Sequence, residues 1–124
     1  MEKIYLDNAA TTPLCEEVID VMLSVMRNHY GNPSSVHSIG QEAKTLVEEV
    51  RREIADYLKV TPGEIIFTSC GTESNNMIIK SCVQHLGVER IITSPLEHKC
   101  VAETCMEMKT TRGVELVYLR PDKK

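Results

Sequence analysis

Residues 67–76 of this chain have the sequence FTSCGTESNN, and this stretch decides the fold. An apolar, β-branched segment leads into it, and the run Ile65–Thr68 is typical of a buried strand. The segment that follows, from about Glu73 to Leu86, has apolar residues on one side of a helix. A strand that turns directly into a helix aims the unpaired N–H groups of the first helical turn at one point. The positive end of the helix dipole lies there too, so the loop is a candidate anion site.

The small and hydroxyl residues of this loop suit an anion such as phosphate. Gly71 lets the backbone approach closely, and Ser69 and Thr72 can donate hydroxyl hydrogen bonds. A helix N-terminus also lowers the pKa of a nearby thiol, here that of Cys70, although filling a tight loop is the simpler role for this side chain. From these residues alone the alternative is an ordinary helix start, with Thr72 or Ser69 as the N-cap.

Strands and helices alternate in the second half of the chain. Beyond the first strand and its helix, the pattern predicts a strand at Arg90–Thr93, a helix at about Lys99–Thr110 and a strand at Val114–Leu119. Short apolar strands that alternate with helices predict an α/β fold with a mostly parallel sheet flanked by helices.

The first half is predicted to be helical. Helices are expected at about Glu16–His29 and Gly40–Lys59, followed by a turn at residues 61–64. Residues 1–124 therefore divide into an extended arm (1–13), a helical part (14–60) and β/α units (61–124). Apolar residues at helical spacing predict one stripe on the first helix, formed by Val18, Val21, Met22, Val25 and Met26. They predict a buried face on the second, formed by Ala43, Leu46, Val47, Val50, Ile54 and Leu58.

Composition narrows the class of protein. The chain has 124 residues, enough for one domain with a core, and 26% charged and 42% hydrophobic residues are typical of a globular protein. A net charge of −4 offers no basic footprint for nucleic acid, and no apolar run is long enough to span a membrane. The five cysteines are odd in number and form no CxxC pair, so neither a disulfide framework nor a metal site is expected. Without a signal-peptide pattern, the expected location is the cytoplasm.

Four motifs carry a resemblance that covers nearly the whole chain. They are YLDNAATTP at residues 5–13, GNPSSVH at 31–37, FTSCGTESNN at 67–76 and IITSPLEHK at 91–99. With these motifs the chain resembles the cysteine desulfurases of the NifS type, which are class V aminotransferase-like enzymes that depend on pyridoxal 5′-phosphate (PLP). Members of that family are several times longer, so the chain is similar to their N-terminal portion. The family usually has glycine where Cys70 stands and alanine where Gly71 stands.

The resemblance implies a fold, a cofactor and site residues. The fold would be the N-terminal part of the large domain of a PLP enzyme of fold type I. Gly71 and Thr72 would belong to the loop around the PLP phosphate. His98 would stack on the PLP ring and could assist proton transfer, because an imidazole is flat and exchanges a proton near neutral pH. From the residue alone, His98 could equally be a histidine at a helix start without a ligand.

Three further residues are candidates for lining the substrate entrance. The resemblance places the segment around His37 near the active site or a subunit interface, and Asn8 and Asn32 belong to neighbouring motifs. The alternative is a purely local role, in which Asn8 and Asn32 satisfy backbone groups in turns.

The resemblance also implies an activity. The family takes sulfur from L-cysteine, leaves L-alanine, and forms a persulfide on an enzyme cysteine that supplies iron–sulfur cluster assembly or tRNA thiolation. The implied partners are a second copy of the enzyme, as a homodimer, and a sulfur-acceptor protein. Selenocysteine lyase and other class V aminotransferase-like activities stay open.

Two catalytic groups of that family have no counterpart in these residues. The Schiff-base lysine lies in a Ser-x-His-Lys segment and the persulfide cysteine on a loop, and the 124 residues contain neither. Lys99 follows His98 directly, and because neighbours on a helix point in different directions, we expect it to be a solvated surface lysine. The isolated chain is therefore expected to be inactive, and the alternative function is a non-catalytic fragment or interaction module.

Overall fold

The structure, a computed structural model, describes residues 4–120, which divide into two compact units between Ile65 and Ile66. The elements are α1 (Glu16–Asn28), α2 (Ser38–Leu58), a 3₁₀ turn (Pro62–Glu64), α3 (Gly71–His85), β1 (Arg90–Thr93), α4 (Lys99–Arg112) and β2 (Glu115–Tyr118). All four predicted helices and the last two predicted strands are confirmed, with ends that shift by one or two residues. Residues 1–3 of the predicted arm lie outside the described part, and its remainder forms no helix or strand.

In the first unit, the apolar stripe of α1 is largely exposed. Val21 is 62% and Met26 65% exposed, and only Val25 is half-buried. Two glutamates in the first turn complement the helix dipole and favour the helix locally. No other described helix of this unit packs extensively against α1, so most of its stripe stays exposed.

The second helix buries only its small residues, namely Gly40, Ala43 and Ala55. The predicted burial of Val50 and Leu58 is wrong, since these side chains are 41% and 57% exposed. The physical reason is that α2 packs extensively on only one described element, the 3₁₀ turn that follows it. Helical spacing identifies an apolar face correctly but does not supply the surface that would bury it.

The predicted strand at Ile65–Thr68 is also wrong. The backbone at Ile65 is extended, with φ −92° and ψ 120°, but residues 65–68 form no ladder with a described strand. The carbonyl oxygen of Ile65 accepts a hydrogen bond from the Arg51 guanidinium instead. Ile65 therefore has an extended backbone outside any ladder between the described strands.

In the second unit, β1, α4 and β2 form a parallel β-α-β arrangement. The register pairs Arg90 with Glu115 and Thr93 with Tyr118, and the parallel orientation confirms the predicted α/β class. The crossover helix α4 ends at Gly113, whose φ of +72° is left-handed and suits glycine. A small core holds the unit together: Thr104, Cys105, Met108 and Val114 are buried. No helix within residues 4–120 is both long and apolar enough to cross a bilayer.

Candidate functional site

The N-terminus of α3 leaves hydrogen-bond donors open. Its N-cap is Cys70, an extended residue whose side chain makes no capping hydrogen bond, so neither Ser69 nor Thr72, the N-caps offered by the alternative interpretation, has that position. The N–H groups of the first helical turn have no acceptor within the helix. A Cβ added at Gly71, the first helical residue, would meet no atom within 4 Å. The space in front of this helix end is therefore open to a ligand.

The thiol of Cys70 reports the electrostatics of this helix end. It is exposed, and its pKa lies below the usual value of a cysteine. The backbone N–H of Glu73 lowers that pKa most, followed by the Ser69 hydroxyl and the N–H of Thr72. The predicted lowering is confirmed, and its cause is a set of donors that favours negative charge at this point. Cys105 shows the opposite case, since burial raises the pKa of its thiol.

Ser69 is already occupied within the loop. The carboxylate of Glu73 accepts hydrogen bonds from the Ser69 backbone N–H and hydroxyl, both at 2.7 Å from Oε2. These bonds lower the pKa of Glu73 below 4.5, with the backbone N–H contributing most. Of the two hydroxyls expected to bind an anion, that of Ser69 therefore serves Glu73, while that of Thr72 is directed towards the Cys70 thiol.

His98 is held by the start of α4. It is the N-cap of that helix, and its Nδ1 accepts a hydrogen bond from the Cys100 backbone N–H at 3.2 Å. Because a backbone N–H can only donate, Nδ1 carries no proton in this arrangement, and the proton of the neutral ring lies on Nε2. His98 thus caps a helix start and has a fixed orientation. This is the position that the alternative interpretation, a histidine at a helix start, expects.

The two helix N-termini meet at one cavity of about 290 Å³. Its lining includes Cys70, Gly71 and Thr72 from the start of α3 and His98 from the start of α4, together with Asn75 and Cys100. A more polar cavity of about 360 Å³ adjoins it, shares Thr72, His98 and Cys100, and extends along α4 to Glu107. The predicted phosphate loop and the predicted ring-stacking residue are thereby brought together.

The other candidates have local roles in the structure. Lys99 is a surface residue, as predicted: its side chain is 80% exposed and its ammonium lies 3.5 Å from the Glu103 carboxylate. In the first unit, Asn32 accepts a hydrogen bond from the Ser34 N–H at 2.9 Å, and His37 caps α2 through Gly40 at 3.3 Å. Asn8 lies in a turn on the exposed arm. The contacts of Asn32 and His37 match the local alternative, and a role of Asn8, Asn32 and His37 in lining a substrate entrance stays a prediction.

Sequence reasoning missed Asn75 and Cys100 as site residues. Cys100 is half-buried, and its sulfur lies 3.1 Å from His98 Nδ1 and 3.3 Å from Asn75 Nδ2. The sequence did contain one signal for Cys100, its position two residues after a histidine at a helix start. At that spacing the first turn of the helix brings the two side chains into contact. Among residues 4–120, no cluster of three or more histidine, cysteine or acidic residues could hold a metal ion.

Comparison with known proteins places this geometry in a family. The family model for the class-V aminotransferases matches residues 4–124. Cysteine desulfurase IscS of Dictyoglomus turgidum is 46% identical over 123 residues, which is 98% of this chain and 31% of that protein. The human cysteine desulfurase is 39% identical over 122 residues, which is 96% of this chain and 26% of that protein.

Two solved structures share the fold. A NifS-like protein matches with a TM-score of 0.78 at 41% identity, over 90% of this chain and 31% of that one. DndA from Streptomyces lividans matches with a TM-score of 0.71 at 40% identity, over 94% of this chain and 33% of that one. The chain thus spans about a third or less of the length of each relative. It belongs to the aminotransferase class-V family and matches the N-terminal portion of the cysteine desulfurases in it.

Proposed function

We propose that this chain forms part of the cofactor site of a PLP-dependent cysteine desulfurase. The observation that carries the proposal is the convergence of the α3 N-terminus and His98 on one cavity. Relatives named cysteine desulfurases, 39–46% identical, support the same assignment. The enzyme would break the C–S bond of L-cysteine, pass the sulfur to a cysteine thiol as a persulfide, and release L-alanine.

The described residues fit PLP. The open space at Gly71 and the N–H groups of the first helical turn suit a phosphate group, and the lowered pKa of the Cys70 thiol supports a preference for negative charge there. A cavity of about 290 Å³ lies just below the range of about 300–1,000 Å³ typical of ligand pockets. When bound, PLP would act as an electron sink for the substrate carbon that carries the amino group.

Each residue would have a distinct task. The N–H groups of Gly71 and Thr72 would bind the phosphate and thereby fix the position of the ring. His98 would lie against the ring, and the proton on its Nε2 would be available to donate. Glu73 would fix the conformation of the loop by accepting two hydrogen bonds from Ser69. This conformation would hold the N–H donors of α3 in position.

The remaining features of the proposal come from the family. The enzyme would act as a cytoplasmic homodimer and would transfer sulfur to an acceptor protein for iron–sulfur cluster assembly or tRNA thiolation. The 124 residues contain no Ser-x-His-Lys segment, so they would not convert L-cysteine by themselves. Added PLP and borohydride should then label no single lysine stoichiometrically, which intact mass measures. Release of sulfide from L-cysteine above the level of free PLP would contradict this part.

The test of the cofactor site uses pyridoxine 5′-phosphate, which lacks the aldehyde and cannot react with surface lysines. We expect the chain to bind it more tightly than pyridoxine, because only the ester carries the phosphate. His98→Ala should weaken the binding of both ligands by removing the stacking surface. His85→Ala, which alters the exposed histidine at the other end of α3, is the matched control and should change neither. Equal affinities for the two ligands would refute the phosphate site.

A further inference from the structure

Three side chains of the second unit form a continuous hydrogen-bonded series at the cavity. The Cys100 sulfur lies 3.3 Å from Asn75 Nδ2 on α3 and 3.1 Å from His98 Nδ1 at the start of α4. Asn75 and Cys100 are half-buried, His98 is exposed, and all three line the cavity of about 290 Å³. The series therefore connects the two helices that form the candidate cofactor site.

The direction of each hydrogen bond follows from the chemistry of the groups. Nδ1 of His98 must be an acceptor, because the Cys100 backbone N–H donates to it. The Cys100 thiol beside the same nitrogen then acts as a donor through its S–H group, and it shares the single lone pair of Nδ1 with the backbone N–H. The Asn75 amide nitrogen can only donate, so the sulfur accepts from it. Every member of the series has a compatible partner, and the ring proton of His98 is left on Nε2.

We infer that Cys100 is a positioning residue for His98. Its thiol, itself oriented by Asn75, holds the imidazole as the Nε2–H tautomer and fixes the orientation of the ring at the cavity. The backbone N–H of Cys100 alone could retain the tautomer but leaves the ring a single anchor. The part of this inference that concerns a bound ligand rests on the proposed PLP site, while the orientation of the ring does not.

The first test is ¹⁵N NMR of the histidine rings in the 124-residue chain. The wild type should show an unprotonated Nδ1 and a protonated Nε2 for His98, assigned by the loss of these signals in His98→Ala. In Cys100→Ala the Nδ1 signal should move downfield, towards the value of a nitrogen that accepts fewer hydrogen bonds. Cys100→Ser, which keeps a donor, should restore it. Asn75→Ala should move it in the same direction by less.

Two controls isolate the thiol. Cys82→Ala removes another half-buried thiol, one that lies on α3 outside the lining of this cavity, and should leave the His98 signals unchanged. The Nδ1 signal of His37, which caps α2 through Gly40, is the internal reference and should not respond to any Cys100 variant. The inference would be overturned if the His98 Nδ1 signal were the same in wild type and Cys100→Ala. It would also be overturned if Nδ1 were protonated in the wild type.

The second test measures binding of pyridoxine 5′-phosphate to the same variants. Loss of one orienting hydrogen bond should weaken binding about three- to tenfold in Cys100→Ala, and Cys100→Ser should recover it. The two proposals fail separately. If the NMR signals respond as expected but no variant binds the ester, the PLP site is wrong and the positioning role stands. If the ester binds equally to wild type and Cys100→Ala and Nδ1 does not move, the positioning role is wrong.

Discussion

The helices α3 and α4 pack together and begin at the same cavity, but they are held in different ways. The crossover helix α4 buries Thr104, Cys105 and Met108, and its N-terminus is closed by His98. α3 buries no residue fully, and the side chain of its N-cap makes no capping hydrogen bond. The open donors therefore belong to the helix with less burial, whereas the imidazole is carried by the better anchored one. Ligand-binding segments commonly lie in the less stable parts of a fold. Polar groups that are buried or already hydrogen-bonded within the protein are not available to bind a ligand.

The largest effect should come from removing the anchor of α4. Met108 is 1% exposed, and Met108→Ala should lower the free energy of unfolding by about 2–5 kcal/mol because it leaves a cavity in the small core. Urea denaturation followed by circular dichroism measures the change. The matched variant on α3 is Met77→Ala, where the side chain is 36% exposed and the cost should be clearly smaller. Equal costs in the two variants would show that the helices do not differ in anchoring.

A charge placed at the open end of α3 should separate stability from binding. Thr72→Glu should weaken pyridoxine 5′-phosphate binding about tenfold or more, because a carboxylate would repel the phosphate at close range. The same change should not lower the melting temperature, since an acidic residue in the first turn suits the helix dipole. Titration calorimetry and thermal unfolding measure the two quantities. Thr72→Gln is the uncharged control, and a similar loss in both variants would argue against an anion site.

The Cys70 thiol offers a probe of the same donors without a mutation. Its lowered pKa means that the thiolate forms at lower pH in the folded chain than in the unfolded one. Alkylation by iodoacetamide, followed by peptide mass spectrometry, should therefore reach its half-maximal rate at a lower pH in buffer than in urea. Inorganic phosphate should slow the reaction in the folded chain by occupying the same donors. Identical pH profiles in buffer and urea would remove the electrostatic argument for the site.

The smallest effect should come from Glu73→Gln. The folded pKa of Glu73 is lowered below 4.5, so its contribution to stability is present above that value and is lost as the pH falls through the folded pKa. The variant should melt slightly below the wild type at neutral pH, and the two melting temperatures should converge under acid conditions. A difference in melting temperature that is constant from neutral pH to acid would contradict this.

The helices were predictable from sequence because their hydrogen bonds and periodicity are local. The strands depended on context: Arg90–Thr93 forms a strand and Ile65–Thr68 does not, although both are apolar and β-branched. The first has Glu115–Tyr118 beside it, whereas the second has no strand beside it among the described residues. A strand forms only when a second segment pairs with it. The residue pattern of one segment therefore cannot determine whether a strand forms.

The candidate site also combines residues that sequence motifs mark with residues that only the structure identifies. Gly71, Thr72 and His98 were predicted because motifs mark them in sequence; the structure brings them to one cavity, and their contact with a cofactor stays a prediction. The roles of Asn75 and Cys100 were missed, since their contact joins residues 25 positions apart and depends on the direction of each side chain. The alternative interpretation of the loop offered Ser69 or Thr72 as the N-cap of α3, whereas the structure has Cys70 in that position and Ser69 bonded to Glu73.

The sequence by itself determined the helices of this protein, its parallel α/β class and the motifs that assign its family, because periodicity, turn residues and motif order are written along the chain. Tertiary structure decided which apolar faces are buried, that both helix N-termini open on one cavity, and that Cys100 connects Asn75 to His98. Those outcomes depend on how elements pack across the chain. Packing sets the direction and the surroundings of every side chain, and no local pattern specifies either.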